Sequence, residues 1–196
     1  MRLFFSLPLP EQGRDALRPV LESARTAAGR SVGFGKAGQL HFTLAFLGEQ
    51  PEERVEAACA AASEAVRGVE GFDLAIGGGG AFPPAGRPRV LWLGARSGGP
   101  QLVELATRLS SRLRERGFSL EERPFRAHLT LGRVKPGGEG GARRALSGLP
   151  SGELARMRVE EIRLVQSILG AGGARHVDLR VFPLGPVGPT RPGEAR

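Results

Sequence analysis

Two heptapeptides in this chain share one pattern of polar and apolar residues, His41-Phe42-Thr43-Leu44-Ala45-Phe46-Leu47 and His128-Leu129-Thr130-Leu131-Gly132-Arg133-Val134. Each alternates and is rich in branched and aromatic side chains, a pattern typical of a β-strand. Side chains at i and i+2 of a strand share a face, about 6.6 Å apart. The pattern therefore predicts that each His lies beside the Thr two residues later. It places Phe42, Leu44 and Phe46 on the opposite, buried face.

Amphipathic periodicity predicts helices in four further segments, and shorter apolar runs predict strands between them. The helices are expected over 11–28, 51–66 and 100–116, with a short fourth helix at 142–146. Beyond the two His strands, we expect strands at 3–7, 72–76, 90–95, 157–168 and 174–182. The glycines of 29–38, 77–80 and 136–141 predict loops.

Strands and helices thus follow each other in two similar halves, each containing one His strand. This order predicts an α+β fold of two pseudo-symmetric lobes, each an antiparallel sheet with helices packed outside, and a catalytic cleft between the lobes. We expect residues 1–184 to form a single domain. After Leu184 the chain is rich in Gly, Pro and charge, which predicts a flexible tail over 185–196.

The chain carries a formal charge of +8, which favours an anionic partner such as a nucleic acid or nucleotide. Arg-rich codon usage is the alternative explanation of this charge, since nearly all the basic residues are Arg and only Lys36 and Lys135 are Lys. Cys59 is the single cysteine, which excludes a disulfide framework and a thiolate metal cluster. No signal peptide or membrane span is evident in the sequence. We expect a cytoplasmic monomer.

Candidate chemistry centres on the two His-x-Thr-Leu motifs, which contain two of the three histidines. Imidazole holds or releases a proton near neutral pH, and a Thr hydroxyl donates a hydrogen bond. Two such faces turned toward each other would make an acid–base site, with His41 and His128 as catalysts and Thr43 and Thr130 as hydrogen-bond donors.

Three further residues are candidates for binding substrate. Arg126 and Arg133 flank the second motif and could neutralise phosphate, although strict alternation puts Arg133 on the face opposite His128. His176, near the last strand, is either an ordinary surface histidine or a stacking partner for a base.

The chain resembles the bacterial and archaeal RNA 2′,3′-cyclic phosphodiesterases, a family named for 2′-5′ RNA ligase activity within the two-histidine phosphoesterases. The resemblance rests on both His-x-Thr-Leu motifs and on three other segments, Met1 to Pro8, Phe82 to Trp92 and Arg123 to His128. It implies the two-lobed architecture, a substrate RNA or oligonucleotide with a 2′,3′-cyclic phosphate end and a 2′-phosphate product. It also implies that His41 is the proton donor and His128 the proton acceptor. Two histidines, one neutral and one protonated, meet the need for proton transfer at pH 7, so we expect no metal or cofactor.

Two other functions remain open from the residues alone. A metal hydrolase would use His41, His128 and His176 as ligands, but neither motif contains an Asp or Glu to complete or orient such a site. A non-catalytic basic RNA-binding module would explain the charge, but the sequence lacks the exposed aromatic clusters of an RNA-recognition domain. RNA ligation could use the same site as hydrolysis, with a 5′-hydroxyl in place of water.

Overall fold

A computed structural model describes residues 1–170 and 173–186. The strands in chain order are Arg2–Pro8 (β1), Val32–Phe34 (β2), His41–Glu49 (β3), Phe72–Phe82 (β4), Val90–Ser97 (β5), His128–Val134 (β6), Glu153–Val159 (β7), Glu161–Gly170 (β8) and Gly173–Pro183 (β9). The helices are Glu11–Ala28 (α1), Val55–Val66 (α2), Gly99–Glu115 (α3) and Glu139–Ser147 (α4). Both His strands and all four helices predicted from the sequence are confirmed.

The helix α1 shows how the amphipathic pattern determines packing. Its buried positions include Leu17, Leu21, Ala24 and Ala28, which recur every three or four residues and so form one apolar face. The helix ends at Gly29, whose φ of 58° lies in the left-handed region that glycine adopts without a steric penalty.

The strands form one curled antiparallel sheet in the order β7-β4-β5-β6-β3-β1-β8-β9, with the short β2 paired to β6. It divides into two halves that we name by their histidines. The His41 lobe contains β1, β3, β8 and β9, and the His128 lobe contains β2, β4, β5, β6 and β7. The two halves join through β3 and β6, which pair at a single position, Phe42 with Leu129.

Two helices pack together on the outside of each half. Helices α2 and α3 contact each other and strands of the His41 lobe, whereas α1 and α4 contact each other and strands of the His128 lobe. The predicted two-lobed α+β fold is confirmed. Among the described residues, no helix combines the length and the apolar character needed to cross a bilayer.

The glycines of 77–80 do not form the predicted loop but continue strand β4, which pairs with β5 and β7. Side chains from neighbouring segments occupy the space that their own side chains would need. A Cβ on Gly80 would lie 2.1 Å from the indole of Trp92, and one on Gly79 would lie 2.4 Å from the side chain of Leu149. Glycine is therefore required here by close packing within a strand.

Two other predictions were wrong in detail. The region 29–38, predicted as a loop, contains the three-residue strand β2, which is stabilised by pairing with β6. The single strand predicted over 157–168 is two strands, β7 and β8, separated at Glu160. The first pairs with β4 and the second with β1, so the chain crosses here from one lobe to the other.

The chain after β9 remains in contact with the domain as far as it is described. Gly185 forms a parallel bridge to Glu70, and its backbone N–H donates to the carbonyl of Val69 over 2.7 Å. The rest of the predicted tail, residues 187–196, lies outside the described residues.

Candidate functional site

The four motif side chains lie where the two lobes meet. Phe42 and Leu129 pair across β3 and β6, and both are fully buried, with an exposed fraction of 0%. The residues on either side of them, His41 and Thr43 on β3 and His128 and Thr130 on β6, are partly exposed. Because side chains alternate along a strand, the two His/Thr faces lie side by side on the face of the sheet opposite Phe42 and Leu129.

The two imidazoles are held by identical hydrogen bonds. Nδ1 of His41 lies 2.7 Å from the backbone carbonyl of Gln39, and Nδ1 of His128 lies 2.7 Å from the carbonyl of Arg126. A carbonyl oxygen only accepts, so each Nδ1 must carry a proton and donate it. The atom of each ring that can exchange a proton is therefore Nε2.

Aromatic rings surround His41. The ring of Phe4 stacks against it with centroids 5.0 Å apart, and the ring of His176 meets it edge-on at 5.2 Å. Burial lowers the pKa of His41 below its usual range, and the nearby His176 and His128 lower it further, since like charges disfavour the imidazolium. The hydrogen bond to the Gln39 carbonyl acts in the opposite direction on this pKa.

On the other lobe, the ring of Phe82 lies edge-on to His128, with centroids 5.0 Å apart and an interplanar angle of 88°. Each motif histidine is thus fixed by one backbone carbonyl and at least one aromatic ring.

A cleft of about 640 Å³ extends along these strands. This volume lies within the range usual for small-ligand sites, roughly 300 to 1,000 Å³. Three of the four motif side chains, His41, Thr43 and Thr130, line it, whereas His128 is not part of its lining. The basic and aromatic side chains of its walls include Arg2, Phe4, Phe34, Lys36, Phe46, Arg133 and His176.

The same irregularity in β3 and β6 changes which residues face the cleft. In β3 the pairing with β1 skips Leu44, and in β6 the pairing with β5 skips Leu131. An extra residue of this kind is a β-bulge, and it reverses the alternation of the side chains that follow it. Both bulges fall at the fourth residue of their motif. In β3 a second skip, at Leu47, comes only after Phe46.

As a consequence, two predictions of side-chain direction were wrong. Phe46 was expected in the core but is 44% exposed in the cleft. Arg133 was expected on the face opposite His128 but lines the cleft with Thr130. Each is the fifth residue after its motif histidine, so Phe46 and Arg133 occupy equivalent positions in the two lobes.

The remaining two predicted binding residues differ in placement. His176 lines the cleft and is partly buried against Phe4 and His41, so it is not an ordinary surface residue. The side chain of Arg126 is exposed and is absent from the residues that line the cleft, while its backbone carbonyl holds His128.

The sequence reasoning missed Arg2, Phe4 and Lys36 as cleft residues. The sequence carried no signal for the first two, since Leu3, Phe4 and Phe5 form a continuous apolar run and every residue from Leu3 to Leu7 is buried. Within residues 1–170 and 173–186, no group of three or more His, Cys, Asp or Glu side chains is arranged to hold a metal ion.

Comparison with known proteins places this chain in a family. Residues 13–170 match the sequence profile of the 2'-5' RNA ligase superfamily. The RNA 2',3'-cyclic phosphodiesterase of Archaeoglobus fulgidus is 37% identical over 182 residues, 93% of this chain and 99% of the relative. The Escherichia coli protein of the same name is 33% identical over 187 residues, 93% of this chain and 96% of the relative.

Solved structures agree with this relationship. The Thermus thermophilus protein TT0787 superposes with a TM-score of 0.77 at 30% identity, covering 94% of this chain and 98% of that one. E. coli LigT complexed with 3'-AMP gives a TM-score of 0.72 at 30% identity, covering 93% and 97%. The chain belongs to the 2'-5' RNA ligase superfamily.

Proposed function

We propose that this protein is an RNA 2′,3′-cyclic phosphodiesterase that opens cyclic phosphate ends to 2′-phosphomonoesters without a metal ion. The observation that carries the proposal is the matched pair of imidazoles. His41 and His128 lie on adjacent strands, and each has Nδ1 bonded to a carbonyl, which reserves Nε2 for proton transfer. The relatives from A. fulgidus and E. coli, both named RNA 2',3'-cyclic phosphodiesterase, align with 93% of this chain.

The reaction needs one proton removed and one supplied. A water oxygen attacks phosphorus as the bond between phosphorus and O3′ breaks, which leaves the phosphate on O2′. In our proposal, Nε2 of His128 accepts the proton of the attacking water and Nε2 of His41 donates a proton to the departing O3′. General acid–base catalysis by positioned imidazoles contributes about 10²- to 10⁴-fold at each step.

The assignment of His41 as acid and His128 as base follows the resemblance to the family. Because its pKa is lowered, the ring of His41 loses its proton more readily in the free protein. To act as an acid it must carry that proton, so substrate binding must favour the imidazolium. A phosphate anion beside the ring has this effect, because an opposite charge favours the imidazolium.

Other residues of the cleft can stabilise the negative charge that develops on the phosphate in the transition state. Negative charge grows on the non-bridging phosphate oxygens, and the hydroxyls of Thr43 and Thr130 are hydrogen-bond donors on the same face as the histidines. The guanidinium of Arg133, in the same wall as Thr130, can bind a phosphate oxygen by a charge-assisted hydrogen bond. In this arrangement His176 contacts the substrate beside His41.

Ligation of RNA at a 2′-5′ linkage is the second function that we propose for this site, since the family takes its name from that activity. An RNA 5′-hydroxyl would replace O3′ at phosphorus, so it would lose its proton in the place of water while O3′ gains one.

The test is incubation with adenosine 2′,3′-cyclic phosphate in excess chelator, with the product identified by chromatography and phosphorus NMR. Conversion to adenosine 2′-monophosphate supports the proposal, and the His41→Ala/His128→Ala double variant is the control. Activity that disappears with chelator and returns with a divalent ion would favour a metal hydrolase. Binding of RNA with no turnover would favour the non-catalytic RNA-binding module.

A further inference from the structure

The excess positive charge of the chain is confined to part of its sequence. Three stretches, 23–48, 74–103 and 123–152, contain 12 of the 28 basic residues but only one of the 20 acidic residues, Glu139. The remaining 110 residues hold 16 basic and 19 acidic side chains, so their charges nearly balance. Arg-rich codon usage does not explain this distribution, because it does not remove acidic residues from particular segments.

The basic residues of these stretches also differ from the others in their partners. Among the described residues, seven arginines form ion pairs with carboxylates, and none of the seven lies in the three stretches. They are Arg18, Arg112, Arg116, Arg156, Arg158, Arg163 and Arg180. Clustered cations without neighbouring carboxylates repel each other and attract an anionic partner.

Four of these cations, Arg133, Lys135, Arg87 and Arg143, form a row that leads out of the cleft over the His128 lobe, which we name the basic row. Arg133 lies in the cleft wall, and Lys135 follows two residues later. The backbone N–H of Lys135 donates to the carbonyl of Ser31 over 2.9 Å, which extends the pairing of β2 with β6 to this residue. Alternation therefore places the side chains of Arg133 and Lys135 on one face, about 6.6 Å apart.

The basic row ends in a second pocket, of about 440 Å³, which is separate from the cleft. Its lining includes Gly137, two residues after Lys135, and the side chains of Arg87 and Arg143. The guanidinium of Arg143 donates to the carbonyl of Gly86 over 3.3 Å, which holds the loop before β5 against helix α4. This contact brings two exposed arginines from distant segments to one site.

The substrate of the proposed reaction has the charge that this surface attracts. A 2′,3′-cyclic phosphate is the 3′ end of an RNA, so the rest of the strand leaves the catalytic site in its 5′ direction. From Arg133 to Gly137 the chain spans at most about 14 Å, four residues of extended backbone. A stacked strand carries one phosphate per roughly 3.4 Å of its axis and an extended strand fewer, so the row has room for about two to four phosphates.

Two basic side chains on β8 and β9 of the His41 lobe, in contrast, have carboxylate partners. Arg163 pairs with Asp178 at 2.6 Å, and Arg180 pairs with Glu56 at 3.2 Å. Their positive charge is neutralised locally, so an RNA strand that leaves the cleft is attracted more strongly toward the His128 lobe.

We propose that the basic row binds backbone phosphates of the RNA on the 5′ side of the cyclic end, with Arg87 and Arg143 holding the phosphate farthest from the catalytic site. This inference rests on the proposed function, and it adds that the enzyme prefers the ends of RNA strands to free cyclic nucleotides. Because the contacts are to phosphates, the preference depends on strand length and not on base sequence.

The test compares adenosine 2′,3′-cyclic phosphate with an RNA tetranucleotide that has the same cyclic end. In the wild type, kcat/KM should be higher on the tetranucleotide, and this advantage should decrease as salt is added, because salt weakens each phosphate contact. Arg87→Ala/Arg143→Ala should lower kcat/KM on the tetranucleotide by about fivefold to fiftyfold, as expected for two exposed charged hydrogen bonds. On the mononucleotide it should stay within about twofold of the wild type, since this substrate ends before the pocket. Equal wild-type values on both substrates, or equal losses of the variant on both, would overturn the proposal.

The double variant Arg67→Ala/Arg114→Ala is the matched control. It removes the same charge from the helices of the His41 lobe, and both side chains are exposed. Arg114 donates to one backbone carbonyl, that of Glu121, as Arg143 does to Gly86. The control should stay within about twofold of the wild type on both substrates. A loss on the tetranucleotide equal to that of Arg87→Ala/Arg143→Ala would show that only net charge matters, and it would overturn the proposal.

Glu139 allows a test in the opposite direction, because it is the single acidic residue of the three stretches and lines the pocket with Arg87 and Arg143. Glu139→Gln removes a charge that repels phosphate, so kcat/KM on the tetranucleotide should rise by about twofold to fivefold. The value on the mononucleotide should not change. A gain of this kind does not arise from a folding defect, and an unchanged or lower value on the tetranucleotide would contradict a phosphate in this pocket.

A binding measurement separates this inference from the proposed function. Fluorescence anisotropy with an RNA tetranucleotide that has a 5′ label and ends in a 2′-phosphate needs no turnover. Weaker binding by Arg87→Ala/Arg143→Ala, with Arg67→Ala/Arg114→Ala unchanged, would support the basic row even in a protein that hydrolyses no cyclic phosphate. Equal affinities of the wild type and Arg87→Ala/Arg143→Ala would overturn the basic row while leaving the catalytic proposal intact.

Discussion

The imidazole of His176 stands edge-on to that of His41, with ring centroids 5.2 Å apart and an interplanar angle of 81°. The contact joins β9 to β3, and it brings a second titratable ring to the side of the proposed acid. Burial lowers the pKa of both rings, and in His176 the carboxylate of Asp178 acts in the opposite direction. A charge on either ring disfavours a charge on the other.

We predict that His41 titrates below its ordinary value of 6.5 in the free protein, because burial and the neighbouring imidazoles disfavour its charged form. Its ring is then mainly neutral at pH 7, and it gains its proton as the pH falls through the lowered pKa. Saturating adenosine 2′-monophosphate should raise this pKa by favouring the imidazolium. NMR titration of the ring C–H signals, assigned with single His variants, measures both values.

His176→Phe supplies the control for this prediction. It keeps an aromatic ring beside His41 but removes the titrating charge, so the pKa of His41 should rise, while burial, the larger cause of its depression, should keep it below its ordinary value. A pKa at or above 6.5 in the free wild type, or no upward change in His176→Phe, would contradict the interpretation.

The sequence predicted the elements of the site well because their signals are local. Alternation placed His41 beside Thr43 and His128 beside Thr130, and the apolar face of α1 predicted its first and last residues correctly. Each of these inferences depends on spacing within one segment, which the chain retains when it folds.

The bulges at Leu44 and Leu131 could not be predicted in the same way. Neither residue is a Gly or Pro, and a bulge exists only relative to the strand that it pairs with. Its effect is large, since one extra residue turned Phe46 and Arg133 into the cleft. The glycine strand β4 was missed for a related reason, because the side chains that fill its surface, Trp92 and Leu149, come from distant segments.

The threonine hydroxyls should contribute to the rate rather than to the fold. Thr43→Val and Thr130→Val keep the branched shape that suits a strand but remove the donor, so each should lower kcat by about tenfold to a thousandfold. Thr43→Ser and Thr130→Ser retain a hydroxyl and should recover most of that loss. Wild-type rates in both valine variants would exclude the threonines from the mechanism.

The two arginines near the second motif, Arg133 and Arg126, should differ in their effect on kcat/KM. Arg133→Ala removes a cation from the cleft wall and should lower kcat/KM by about tenfold to a hundredfold, as expected for a hydrogen bond between charged groups. Arg126→Ala should change it by less than about threefold, because the backbone carbonyl that holds His128 is retained and the exposed side chain is lost. Steady-state kinetics at two salt concentrations will distinguish direct binding from general attraction, since salt screens only the latter strongly. Equal losses in the two variants would indicate that only net charge matters.

The proposed roles of His41 and His128 differ although their hydrogen bonds are the same, so the last prediction concerns their asymmetry. An acid that protonates the departing oxygen matters less when the leaving group departs without a proton, as a nitrophenolate does. His41→Ala should therefore recover by about tenfold or more on a nitrophenyl phosphodiester, relative to its defect on the cyclic phosphate. His128→Ala should remain severely impaired on both substrates, because water must still lose its proton. Circular dichroism should first show that each variant folds, since both histidines begin central strands. Recovery in His128→Ala instead would mean that acid and base are exchanged, and equal defects on both substrates would mean that the histidines act chiefly through charge and position.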